Sequence, residues 1–110
     1  MKLHNQTRNT LISSKCKIAR SLVDRTLGLL NSNNPRTLIF FTRWGIHTLF
    51  LSNPIDILLL NDDWEVVKMA KSLPPFKFFS YLPIYMIVIE LPQGSLGKSK
   101  TTLGDKILIA

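Results

Sequence analysis

Turn-forming residues break this chain at short intervals, at Asn31 to Pro35, Ser52-Asn53-Pro54, Asn61-Asp62-Asp63, Pro74-Pro75, Pro92-Gln93-Gly94 and Gly104-Asp105. That spacing leaves no room for long helices and favours short strands joined by turns. The runs between the turns are rich in Ile, Val, Leu, Phe and Thr, which suit a pleated surface. Strands are expected at 11–18, 37–42, 45–51, 55–61, 65–70, 84–91 and 106–110, with a weaker one near 2–7. One segment departs from this pattern. From Ser21 to Leu30 the apolar residues Leu22, Val23, Leu27 and Leu30 recur at helical spacing, with Ser21 able to cap and Asp24 three residues later. A short helix is expected there.

Most of these strands are apolar on both faces. In the run 84–91, Ile84, Met86 and Val88 share one face and Tyr85, Ile87, Ile89 and Leu91 the other. A sheet wetted on one side would alternate polar and apolar residues instead. With 110 residues the chain has the length of one domain, residues 1–110. The expected fold is mainly β, a single small β-barrel or β-sandwich of about seven to eight strands with one short helix near residues 21–30. Two-sided burial fits either cover over the outside of the sheet or a homodimer interface, so both monomer and homodimer are open at this point.

The net charge is +7, and its distribution says more than its sum. Residues 1–43 hold eight Lys and Arg against Asp24 alone, whereas residues 44–110 hold six against six. If the N-terminal cations converge they would draw phosphates or anionic lipid through a salt-dependent field; dispersed, they form a solvated basic surface. Residues 1–15 are polar almost throughout, and no export signal is expected. The apolar-rich run 78–89 contains Ser80 and Pro83 and is too short to cross a bilayer. Cys16 stands alone, which excludes an intrachain disulfide, and one Cys with the widely spaced His4 and His47 does not make a zinc site. No metal or other cofactor is expected, Cys16 reads as a packed thiol, and the expected compartment is the cytoplasm.

Among polar residues set in apolar strands, His47 and Asp56 invite an acid/base reading. If 45–51 and 55–61 form a hairpin about Asn53-Pro54, a two-residue loop places the pair on one face but roughly 14 Å apart. A three-residue loop puts them on opposite faces. In neither register do they form a dyad, and Asp56 is expected to accept hydrogen bonds from loop amides. Gly94-Ser95-Leu96-Gly97-Lys98-Ser99 has the wrong spacing for a phosphate loop and no strong strand-to-helix transition. The stretch Phe76-Lys77-Phe78-Phe79-Ser80-Tyr81 reads either as a stacking platform for single-stranded nucleic acid or as a lid over the end of the barrel.

The order Arg25-x-x-Gly28-Leu29-Leu30, His47-Thr48-x-Phe50-Leu51, Pro54-Ile55-Asp56-Ile57-x-Leu59-Leu60-Asn61, Val66-Val67, Pro74-Pro75, Glu90-Leu91-Pro92-x-Gly94 and Gly104-Asp105 resembles the domain of unknown function 192 family. The resemblance spans nearly the whole chain. It implies a small β-rich barrel or sandwich with one short helix, and no established activity. Many relatives in bacteria and archaea carry an export signal or lipoprotein anchor, whereas the polar start of this chain does not match one. Leu30 and Leu51 stand where the family often has methionine, which weakens any thioether-based metal or redox reading.

The expected function is non-catalytic binding of a small ligand or protein partner at one end of the barrel, lined by His47, Thr48, Asn53 and Asp56. The alternative is a nucleic-acid-binding accessory protein that uses Arg8, Lys15, Lys17, Arg20, Arg25, Arg36 and Arg43. No nucleophile and base can be placed together, so no catalytic residue is assigned.

Overall fold

The computed structural model describes residues 1–19, 37–43, 45–47 and 53–110, with the backbone alone at 46–47. The helix expected near 21–30 lies outside the described residues. Among the described residues ten strands run in chain order: β1 (Leu3–Asn5), β2 (Thr10–Ser13), β3 (Cys16–Ile18), β4 (Thr37–Phe41), β5 (Ile46–His47), β6 (Ile55–Leu60), β7 (Val66–Leu73), β8 (Phe78–Phe79), β9 (Ile87–Pro92) and β10 (Ile107–Ile109). One short helix, α1 (Ser95–Ser99), follows β9. The described chain is mainly β, as the spacing of its turns requires.

The centre is a five-stranded sheet in the order β3-β4-β9-β6-β7, flanked by a three-stranded sheet β10-β1-β2 and a two-stranded ribbon β5-β8. The β3–β4 pair is parallel, with Cys16 opposite Thr37, and the other pairs are antiparallel. All six residues of β6 are buried. Its odd members Ile55, Ile57 and Leu59 belong to one apolar cluster with Leu38, Phe40, Phe79 and Val88. Its even members Leu58 and Leu60 belong to a second, with Leu3, Ile39, Ile89, Leu91, Leu96 and Ile107. The central sheet therefore has a core on each face, which accounts for strands that are apolar on both sides. Each fully buried Leu or Ile contributes about 1.5–3 kcal/mol, so the two faces supply comparable stabilisation.

Four expectations are corrected. The run 11–18 is two strands, because the chain breaks at Ser14-Lys15 and passes from the three-stranded sheet to the five-stranded one. The last long strand starts at Ile87 rather than Ile84, because Pro83-Ile84 form a turn whose Tyr85 amide donates to the Leu82 carbonyl at 3.1 Å. The hairpin assumed between 45–51 and 55–61 is not seen at its described residues, where Ile46 and His47 pair instead with Phe79 and Phe78. Finally, Ser95–Ser99 is helical, so a strand-to-helix transition does occur there.

Candidate functional site

Asp56 is buried on β6, opposite Leu91 of β9. Its Oδ1 accepts the Ser72 amide at 2.8 Å and its Oδ2 accepts the Leu96 amide at 3.0 Å. Both oxygens are thus engaged by backbone donors, one from β7 and one from the first turn of α1. This charge-assisted pair seats α1 on the sheet and satisfies a helix amide that would otherwise be buried. The sequence led one to expect acceptance from loop amides; the donors are instead a strand amide and a helix amide, 16 and 40 residues further along the chain.

Of the four residues proposed as a lining, Asn53 and Asp56 are described in full and His47 through its backbone. Asp56 alternates with Ile55 and Ile57 and so faces the cluster that holds Leu96. His47 is paired with Phe78, and the next residue on β8, Phe79, packs in the opposite cluster. The β5-β8 ribbon thus borders the cluster on the face of the central sheet opposite to the one Asp56 points into. Asn53 is exposed ahead of β6, and Thr48 lies outside the described residues.

Four of the seven basic residues singled out by sequence are described. Arg8 Nε pairs with Asp105 Oδ2 at 3.1 Å and its Nη2 donates to Thr102 at 2.7 Å. Lys15 and Lys17 are exposed around β3, and Arg43 follows β4. Arg20, Arg25 and Arg36 lie outside the described residues. Among the described residues no group of three His, Cys, Asp or Glu side chains could hold a metal ion.

Sequence reasoning missed a polar cluster that ties the two ends of the chain together. Asn5 Nδ2 donates to Asp105 Oδ2 at 2.9 Å and to Thr101 Oγ1 at 3.1 Å, while the Thr102 amide donates to Asp105 Oδ2 at 3.0 Å. Burial works to raise the Asp105 carboxyl, but Asn5, Thr102 and Arg8 together hold it below its ordinary range. The signal was an Asn in the middle of an N-terminal strand and a Gly-Asp turn far along the chain. Nothing local links them.

The ribbon β5-β8 was also unforeseen. Two side-chain bonds brace the segments beside it: the Tyr81 hydroxyl donates to the Thr42 carbonyl, and Arg43 Nη1 donates to the Pro83 carbonyl at 2.7 Å. Lys68 Nζ donates to the Ser80 carbonyl at 2.6 Å and stands 4.7 Å from the centre of the Phe79 ring. Phe79, Tyr81 and Tyr85 turn inward to the second cluster, with the Phe79 and Tyr81 rings 6.0 Å apart. Burial pushes the Tyr81 phenol up, partly offset by its hydrogen bonds with Gly45 and Thr42. Phe78, Ser80 and Leu82 alternate outward, and Phe76 and Ile84 stand out at either end. The segment therefore packs inward through Phe79 and Tyr81 and leaves Phe76, Phe78, Leu82 and Ile84 exposed.

Comparison with known proteins places this architecture. The chain is 29% identical over 109 residues to the UPF0127 protein PH1112 of Pyrococcus horikoshii, covering 94% of each. It is 26% identical over 110 residues to the UPF0127 protein PF1050 of Pyrococcus furiosus, covering 94% of this chain and 93% of that one. A crystal structure of a protein of unknown function from Novosphingobium aromaticivorans superposes with a TM-score of 0.76 at 16% identity, over 98% of this chain and 82% of that one. That likeness concerns the fold alone. The family profile of DUF192, described as "Uncharacterized ACR", matches residues 3–109, and the chain belongs to that family.

Proposed function

We propose that this protein is a non-catalytic binding module that meets its partner with the outer face of the β5-β8 ribbon. The observation that carries this reading is that Phe76, Phe78, Leu82 and Ile84 each leave 62–72% of their surface exposed. Four large apolar side chains exposed within nine residues of one segment are what an interaction site presents. The ribbon is held by Arg43, Lys68 and Tyr81, so little ordering remains to be done on binding. His47 belongs to this element by its pairing with Phe78. A small-ligand lining of His47, Thr48, Asn53 and Asp56 is the narrower form of the reading, and Asp56 supports it least because both its oxygens are already bonded. The lone buried thiol of Cys16, raised by that burial, fits a reducing compartment and hence a cytoplasmic protein.

The test is photo-crosslinking in cells with p-benzoylphenylalanine placed at Phe78, at Leu82 and, as control, at Asp62 on the turn after β6. Adducts of defined mass at 78 and 82 but not at 62 are expected. Equal crosslinking at all three positions, or none at 78 and 82, overturns the reading.

A further inference from the structure

We propose that Met86 is a site of oxidation to the sulfoxide, and that Arg43 captures the oxygen it gains. The inference goes beyond the binding reading and needs no partner. Arg43 follows β4, and its guanidinium clamps the turn at Pro83-Ile84: Nη1 donates to the Pro83 carbonyl at 2.7 Å and Nη2 to Met86 Sδ at 3.3 Å. The backbone beneath is fixed as well, because the Thr42 amide donates to the Met86 carbonyl at 2.9 Å. The chain has three methionines, Met1, Met69 and Met86. Met69 and Met86 are both half-buried and pack against the first apolar cluster, whereas Met1 is exposed. Among the described residues, Met86 Sδ alone of the three thioethers receives a hydrogen bond.

A thioether is a weak acceptor, so a guanidinium set against it gains little in the reduced protein. A sulfoxide oxygen is polar and accepts strongly, and a charge-assisted bond is roughly twice as strong as a neutral one. The oxidant is a hydroperoxide. Sulfur has two lone pairs, so the bond from Arg43 leaves one for attack on the terminal peroxide oxygen. The S–O bond forms as the O–O bond breaks, the proton of the attacked oxygen passes to the departing one, and water or an alcohol leaves. Sulfur loses two electrons and the peroxide takes them. The new oxygen accepts Arg43 Nη2, which turns the weaker of the two clamp bonds into a charge-assisted one. At a half-buried methionine with no such donor the same polar oxygen disrupts the packing. The clamped turn carries Leu82 and Ile84, so the state of Met86 sets how firmly that exposed stretch is held.

The experiment treats the full chain carrying Met69→Leu with dilute hydrogen peroxide, reads each site by peptide mass mapping and follows the thermal midpoint by circular dichroism. Residue 86 should gain one oxygen atom while the midpoint stays level or rises. In the same protein with Arg43→Ala added, oxidation of residue 86 should lower the midpoint by about 4 °C or more. Comparing each protein with its own untreated form removes the cost of losing the Arg43 bonds themselves. Adding Met86→Leu to the Arg43→Ala protein should abolish the drop, which assigns it to this sulfur rather than to Met1. Residue 86 left reduced under treatment that converts Met1 overturns the inference. So does a fall in midpoint that is as large with Arg43 as without it, or a drop that persists in Met86→Leu.

Discussion

The carboxylate of Asp56, on a central strand, accepts the backbone amide of Leu96, forty residues later in the chain, at 3.0 Å. Its other oxygen takes the amide of Ser72 at 2.8 Å, so one side chain fixes a helix and a neighbouring strand to the same point of the sheet. Asp56→Ala should strip both amides of their acceptor and lower stability by about 2–4 kcal/mol. Asp56→Asn retains one carbonyl oxygen and should lose about half as much. Urea denaturation followed by circular dichroism measures both. A loss below about 0.5 kcal/mol for the alanine variant would show that the bonds are replaced by water.

Asp105 gives the protein an acid limit. Its folded carboxyl is held below the ordinary range, so as pH falls the unfolded chain takes up a proton before the folded one does. Its contribution is complete above the unfolded value of about 3.9 and is lost as pH falls from there through the lower folded value. Thermal midpoints between about pH 6 and pH 2.5 should drop in the wild type, and Asp105→Asn should start lower and change less over that range. Parallel curves for the two proteins would assign the acid sensitivity to other groups.

Phe78 and Phe79 are sequence neighbours with opposite burdens. Phe79 is 4% exposed and packs in the second cluster, whereas Phe78 is 62% exposed. Phe79→Ala should cost about 3–5 kcal/mol, and Phe78→Ser well under 1 kcal/mol. Differential scanning calorimetry separates them. Comparable losses would mean that the outer face is buried in solution.

Gly45 links the ribbon to the strand before it. It has φ of +78°, and a Cβ there would lie 2.7 Å from Phe78 Cζ and 3.0 Å from the Phe79 carbonyl oxygen. The backbone oxygen cannot swing away as a side chain can. Gly45→Ala should therefore cost about 1–3 kcal/mol and disturb the position of Phe78, read as a lower midpoint and shifted Phe78 ring resonances.

What was legible in the sequence follows from how local each signal is. The strands Thr37–Phe41 and Ile55–Leu60 are continuous β-branched and aliphatic runs bounded by turn residues, and both were expected to within one residue. The two-residue strand at Phe78-Phe79 is too short to carry a period and exists because Ile46-His47 lies beside it. The Ser95–Ser99 helix has Gly97 in its middle, which local propensity opposes, and it forms because Leu96 is buried and its amide has Asp56 to bond. At the level of the site, the role of Asp56 could be read from its place after a Pro turn. The outward alternation of Phe78, Ser80 and Leu82 could not, because it depends on which face the core claims.

The pairing of the first strand with the last has a consequence for biosynthesis. Leu3 lies opposite Ile109, and the Lys2 and Ala110 backbones exchange hydrogen bonds at 2.8 and 2.9 Å. During translation β1 emerges early yet cannot acquire that neighbour until residues 107–109 have left the ribosome. Leu3, Ile12 and Ile107 share the same apolar cluster. One side of the central sheet must therefore wait, unsealed, for β10, and the closing contact joins residues more than a hundred positions apart. Such a topology folds late and slowly for its size, and it makes the nascent chain a client for whatever shields unsealed sheets at the exit tunnel.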